Sequence, residues 1–146
     1  MPDANNPRQL VVFTLGTEHY ALGIQQVHEI IRYSEPRSVA SRADWVRGVI
    51  SLRGRIVPVY DLAARLGLAS ELTEQTKIVI VEAGNETAGV IVDGVEEVLT
   101  VEDGQLQDAP GADTTLIESI AKIGDRLVVL LKLAAVFSAP DLAVAA

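Results

Sequence analysis

The chain has 146 residues, 49% hydrophobic and 22% charged, with a formal net charge of −8 and no Cys. That length suits one folding unit, the apolar share lets burial outweigh the entropy of ordering, and the acidic balance argues against nucleic acid or an anionic membrane as partner. Lack of Cys excludes a disulfide framework, a thiolate nucleophile and Cys-ligated zinc, while aromatics at only 4% leave a core of Val, Ile, Leu and Ala, which points to strands. The longest apolar runs, such as LVVLL at 127–131, fall far short of the roughly 18 residues that span a bilayer. MPDANNPRQL has no basic region followed by an apolar run, so no signal peptide is expected. The reading is a cytoplasmic protein without direct membrane insertion.

Residues 1–8 are expected to be a flexible leader and 139–146 a short tail. LVVFTLG at 10–16 and YALGI at 20–24 predict a first hairpin with its tip at Thr17 to His19. IQQVHEII at 24–31 reads as one or two helical turns, with Ile24, Val27, His28 and Ile31 on one side. In GVISLRGRIVPVYDL at 48–62, two β-branched runs flank Arg53-Gly54, a tight hairpin in which Gly54 takes positive φ. Pro58 cannot donate to a ladder, so its strand should lie at an edge or carry a bulge. Asp61 opens a short helix, LAARLG, that Gly67 closes. KIVIVEA at 77–83 and TAGVIVDGV at 87–95 make a third hairpin about Gly84-Asn85-Glu86. EEVLTV is a further strand, and after a polar loop at 104–115, ESIAKIG and RLVVLLKL form a last hairpin about Gly124-Asp125. Eight to ten short strands with so little helix predict small barrels or a sandwich.

Charge is unevenly spread. Residues 32–65 hold seven Arg against Glu35, Asp44 and Asp61, whereas 71–118 hold twelve acids against Lys77 alone. The arginine window suggests a partner surface with carboxylates, which Arg engages bidentately, or else a solvated face.

Catalytic chemistry is not apparent. His19 and His28 are the only histidines, no Ser sits in a G-x-S-x-G elbow, and the segment from Gly48 to Gly54 lacks the Lys-Ser/Thr of a phosphate-binding loop. Glu96-Glu97 and Glu102-Asp103 are adjacent acids that point to opposite faces of a strand, which makes poor metal pairs. A single-strand nucleic-acid barrel would need exposed aromatics along a basic groove, and the supply is Phe13, Tyr20, Tyr33, Trp45, Tyr60 and Phe137. No cofactor or metal is expected.

Four segments in this order resemble the CheW family of chemotaxis coupling proteins: LVVFTLGTEHYALGIQQVHEII at 10–31, WVRGVISLRGRIVPVYDLAARLGL at 45–68, VIVDGVEEVLTV at 90–101 and SIAKIGDRLVVLLKL at 119–133. The resemblance implies an all-β fold of two small five-stranded SH3-like barrels sharing a core, spanning 9–138 here, and no catalysis. It implies two partners, the cytoplasmic signalling tip of a methyl-accepting chemoreceptor and the regulatory domain of the histidine kinase CheA, which itself resembles CheW. With its own Met1 and a single unit, the chain looks like a free-standing family member rather than a kinase fragment.

By the same resemblance Arg53 and Glu29 fall on residues associated with receptor coupling, and Val27, Val95 and Val98 on apolar positions near the same groove. Gly48, Gly54, Gly89 and Gly94 match turn and close-packing glycines. The chain departs from the family at Ser51, where Asn is common, at Lys77, where an apolar residue is common, and at Lys132-Leu133-Ala134-Ala135, where the terminal helix usually starts more acidic. The alternative within the resemblance is a scaffold of a related receptor-kinase pathway, such as surface motility or second-messenger control. The alternative from another class is a small-barrel hydrolase or ligand-binding enzyme.

Overall fold

The computed structural model describes residues 7–40, 44–83, 85–108 and 116–137. Strand β1 (Arg8–Leu15) and β2 (Glu18–Gly23) form a hairpin about Gly16-Thr17. A 3-10 turn, Ile24–Gln26, leads into β3 (Val27–Arg32), β4 (Val46–Leu52), β5 (Arg55–Asp61), helix α1 (Leu62–Arg65), β6 (Lys77–Ala83) and β7 (Glu86–Val92). The chain then runs through β8 (Gly94–Val101), a 3-10 turn at Asp103–Gln105, β9 (Leu106–Gln107), β10 (Ile117–Ile123), β11 (Arg126–Leu131) and helix α2 (Leu133–Phe137).

Two sheets result. The terminal sheet has the order β8-β1-β2-β11-β10-β9, and the central sheet β3-β6-β7-β5-β4. The terminal sheet thus has six strands where five are predicted, the addition being the two-residue β9. Each sheet contains one short parallel seam, β2 with β11 at Tyr20 and Ala21, and β5 with β7 from Val59 to Asp61. Each is curled into a barrel by a link between its end strands. β8 passes through the 3-10 turn directly into β9, whereas the chain leaving β3 reaches β4, where Arg37 and Val49 exchange backbone hydrogen bonds of 2.8 and 2.9 Å.

Because side chains alternate across a strand, each barrel fills its own interior and both contribute to a layer between them. Leu10, Val12, Ala21, Val128 and Leu130 fill the terminal barrel. Val57, Val59, Ile78, Ile80 and Ile91 fill the central one. Phe13, Leu15 and Leu22 of the terminal barrel meet Val79, Val81, Val90 and Val92 of the central barrel, with Leu62 of α1 and Val136 of α2. Each such fully buried side chain contributes about 1.5–3 kcal/mol, so the shared layer couples the two barrels.

Several local expectations are corrected. Residues 27–31 form a strand and only Ile24–Gln26 is helical, because pairing of β3 with β6 overrides an apolar spacing that fits either element. His19 is inside β2 opposite Thr14 rather than at the tip, and His28 is on β3. The strand with Pro58 lies inside its sheet, and the bulge falls on β4 between Val46 and Gly48. Pro58 is tolerated because its partner Val49 turns its N–H and C=O toward Arg37, and β7 joins β5 only from Val59 onward.

The run 87–95 is broken at Asp93, whose N–H donates to Thr14 C=O at 2.9 Å and whose carboxylate accepts from Gly16 N–H at 2.6 Å. That double tie hands the chain from the central barrel to the terminal one. Glu96 and Glu97 do not diverge. A bulge pairs Val12 with Glu97 and Phe13 with Val95, leaving Glu96 over, and Arg126 reaches Glu97 at 2.6 Å and Glu96 at 3.6 Å. The Asp61 cap is as predicted, its carboxylate accepting from Ala64 N–H at 3.1 Å, and Gly67 ends that helix at φ 77°. Gly84 and the 139–146 segment lie outside the described residues.

Candidate interaction site

The Arg53-Gly54 hairpin is closed by the Leu52 and Arg55 pair, with φ of 52° at Arg53 and 82° at Gly54. Two successive positive φ values define the tight turn whose twist matches that of its strands, and Gly54 carries the second without a Cβ. Arg53 itself occupies a conformation that L side chains enter at a cost. Its guanidinium is held from outside: Nη2 donates to Glu29 Oε1 at 2.8 Å and Nη1 to Glu29 Oε2.

Glu29 is on β3 and Arg53 on the β4–β5 hairpin, so this fork spans the two end strands of the central sheet. The hydrogen bond from Arg53 holds the Glu29 carboxyl below its ordinary value of 4.5, desolvation opposes that shift, and the charges of Arg53 and His28 reinforce it. Glu29 in turn raises Arg53. A depressed carboxyl contributes stability that is present above its ordinary value and lost as pH falls through the lowered one. The pair therefore persists at neutral pH and opens only in acid. His28, Leu52, Arg55 and Thr87 join it around a cavity of about 220 Å³.

The three valines lie elsewhere. Val27 and Val95 are partly buried against the shared layer, one from each barrel, and Val98 is 51% exposed on β8, an end strand. None of them lines the Arg53 cavity. Gly48, at φ 142°, lies so close to the Arg37 bridge that a Cβ would stand 2.0 Å from Arg37 O. At Gly89 a Cβ would meet Ile78 Cγ2 at 2.7 Å, and Gly94 opens β8, its C=O accepting from the Thr14 hydroxyl at 3.4 Å.

Sequence reading did not single out Ile30, which is 42% exposed. Strict alternation puts residues 27 and 30 on opposite faces, but the irregularity between Val27 and Glu29 returns Ile30 to the face of Val27. Among the described residues no group of three His, Cys, Asp or Glu could hold a metal ion, and no helix is long and apolar enough to cross a membrane.

Two barrels thus stand on one shared apolar layer, with a charged hairpin pinned at its tip and, among the described residues, no group that could hold a metal ion. The family model of the CheW-like domain matches residues 9–141. The chain is 30% identical to the chemotaxis protein CheW of Klebsiella aerogenes, over 93% of this chain and 85% of that one. It is 36% identical to the chemotaxis protein CheW of Bacillus subtilis, over 82% and 80%. The crystal structure of the scaffolding protein TtCheW from Thermoanaerobacter tengcongensis superposes with a TM-score of 0.86 at 34% identity, covering 93% of this chain and 91% of that one. The chain belongs to the CheW family of chemotaxis scaffold proteins, a family of adaptors and not of enzymes.

Proposed function

We propose that this chain works in the cytoplasm as the link between the signalling tips of chemoreceptors and a CheA-type histidine kinase, touching the receptor through Arg53, Glu29 and the valine positions. The observation that carries the reading is the Arg53 fork. A five-donor guanidinium on a tight turn, tied by two of its donors to Glu29, keeps further N–H groups free for a partner on a side chain that is 68% exposed. Such a group meets a partner carboxylate at a lower entropic cost than a free surface arginine does. Family membership supports the choice of partners, and the arginine-rich window at 32–65 supports an acidic counterpart.

The test is an Arg53→Glu variant titrated separately against a soluble receptor signalling fragment and the kinase regulatory domain. Charge reversal places two carboxylates against each other at the fork, and receptor binding is expected to weaken about tenfold or more while kinase binding stays unchanged. Unchanged receptor binding, or loss of both partners together with an intact melting curve, removes Arg53 from the receptor contact. Wild-type protein that binds neither partner overturns the coupling role itself.

A further inference from the structure

Across β3, β6 and β7 the face turned toward the shared layer reads as three rows: Val27–Val81–Ala88, Ile30–Val79–Val90 and Arg32–Lys77–Val92. The β6 and β7 members of the first two rows are buried in that layer, while β3, an end strand, leaves Ile30 open at its mouth. The third row breaks the apolar pattern. Arg32 and Lys77 stand directly opposite each other on neighbouring antiparallel strands, and neither has an ion-pair partner among the described residues. Side chains so placed have Cβ atoms about 4.5–5.5 Å apart, and like charges there repel. Nothing in the fold requires this pair, since an apolar residue at 77 would continue the Val79 and Val81 face.

We propose, resting on the receptor-coupling reading above, that Arg32 and Lys77 are a carboxylate-binding station at the end of the Val27 and Ile30 stripe, and that they select the receptor tips this chain serves. Two opposed cations become favourable when one anion lies between them. Ile30 and Arg32 are two strand residues apart, about 7 Å, which a helix covers in roughly one turn. The receptor helix engaged here therefore lays an aliphatic side chain on Ile30 and presents Asp or Glu about one turn away. A receptor without that acid leaves the two cations facing each other and binds less well.

The experiment compares full-length protein with an Arg32→Gln, Lys77→Val double variant. Each is titrated with the soluble receptor fragment at low and high salt, and with the kinase regulatory domain as control. Each Asp and Glu of the receptor fragment is then exchanged for its amide in turn. The variant is expected to bind the receptor fragment about fivefold more weakly at low salt, with a shallower salt dependence. Its affinity for the kinase domain stays unchanged, and its melting temperature is not lowered, because repulsion has been removed. One receptor amide exchange should weaken wild type by the same factor and leave the variant unaffected. Equal affinity and salt slope in wild type and variant overturn the station while leaving the coupling role intact, and so does a parallel loss of kinase binding. Wild type that binds no receptor fragment overturns both.

Discussion

The two barrels close by different chemistry. In the central barrel the closing link is backbone to backbone, Arg37 to Val49, packed so tightly against Gly48 that a single Cβ would stand 2.0 Å from the Arg37 carbonyl oxygen. In the terminal barrel the link is the chain itself through the Asp103–Gln105 turn, where Gln105 N–H donates to Glu102 C=O at 2.8 Å, the Gln105 side chain adds a cap by accepting from Glu102 N–H at 2.9 Å, and Gly104 faces open space. A backbone bridge has no rotamers to spend, whereas a side-chain cap can loosen and re-form. The rigid closure belongs to the barrel that carries the Arg53 fork. Geometry is thus held most firmly at the charged part of the proposed receptor contact, Arg53 and Glu29, while Val95 and Val98 belong to the other barrel.

Three substitutions break or sharpen this contrast. Phe13 is fully buried in the shared layer, and Phe13→Ala is expected to cost about 3–5 kcal/mol. Urea denaturation should still show one transition for both barrels, and two separated transitions would show that the layer does not couple them. Gly48→Ala combines a forbidden φ with a backbone clash, for an expected loss of about 2–3 kcal/mol. Its amide shift changes should concentrate on β3, β4 and β5. Gln105→Ala removes one exposed cap and is expected to cost about 0.5–1 kcal/mol by the same denaturation. If the loss at Gln105 equals that at Gly48, the closures are equivalent and the contrast fails.

Much of this was legible in the sequence where one residue decides the local geometry. Gly54 fixed the tight turn beside Arg53, and Asp61 announced the helix it caps, because both act within three residues of themselves. What depends on register was not legible. Ile24, Val27, His28 and Ile31 satisfy a helical spacing, and only pairing with β6, some fifty residues on, makes a strand of 27–32. The break at Asp93 hides in a continuous apolar run, since its cause is a pair of hydrogen bonds to Thr14 and Gly16 on another sheet. Glu96 and Glu97 share Arg126 only because a bulge defeats alternation. The Arg32 and Lys77 row needs the same knowledge, as neither residue shows from its neighbours that the other stands opposite.

The parallel seam of β2 with β11 has a consequence for how the protein is made. Tyr20 and Ala21 await Val129 and Leu130, synthesised 109 residues later. At 5–20 residues per second the wait on the ribosome is roughly 5–20 s. During it all five central strands emerge and can pair among themselves. The β1–β2 hairpin can meanwhile dock Phe13, Leu15 and Leu22 onto the nascent central barrel, while Leu10, Val12 and Ala21 on its other side stay open until β11 arrives. The terminal barrel is thus the later to finish, and its uncovered strand face is the surface that a chaperone would have to guard.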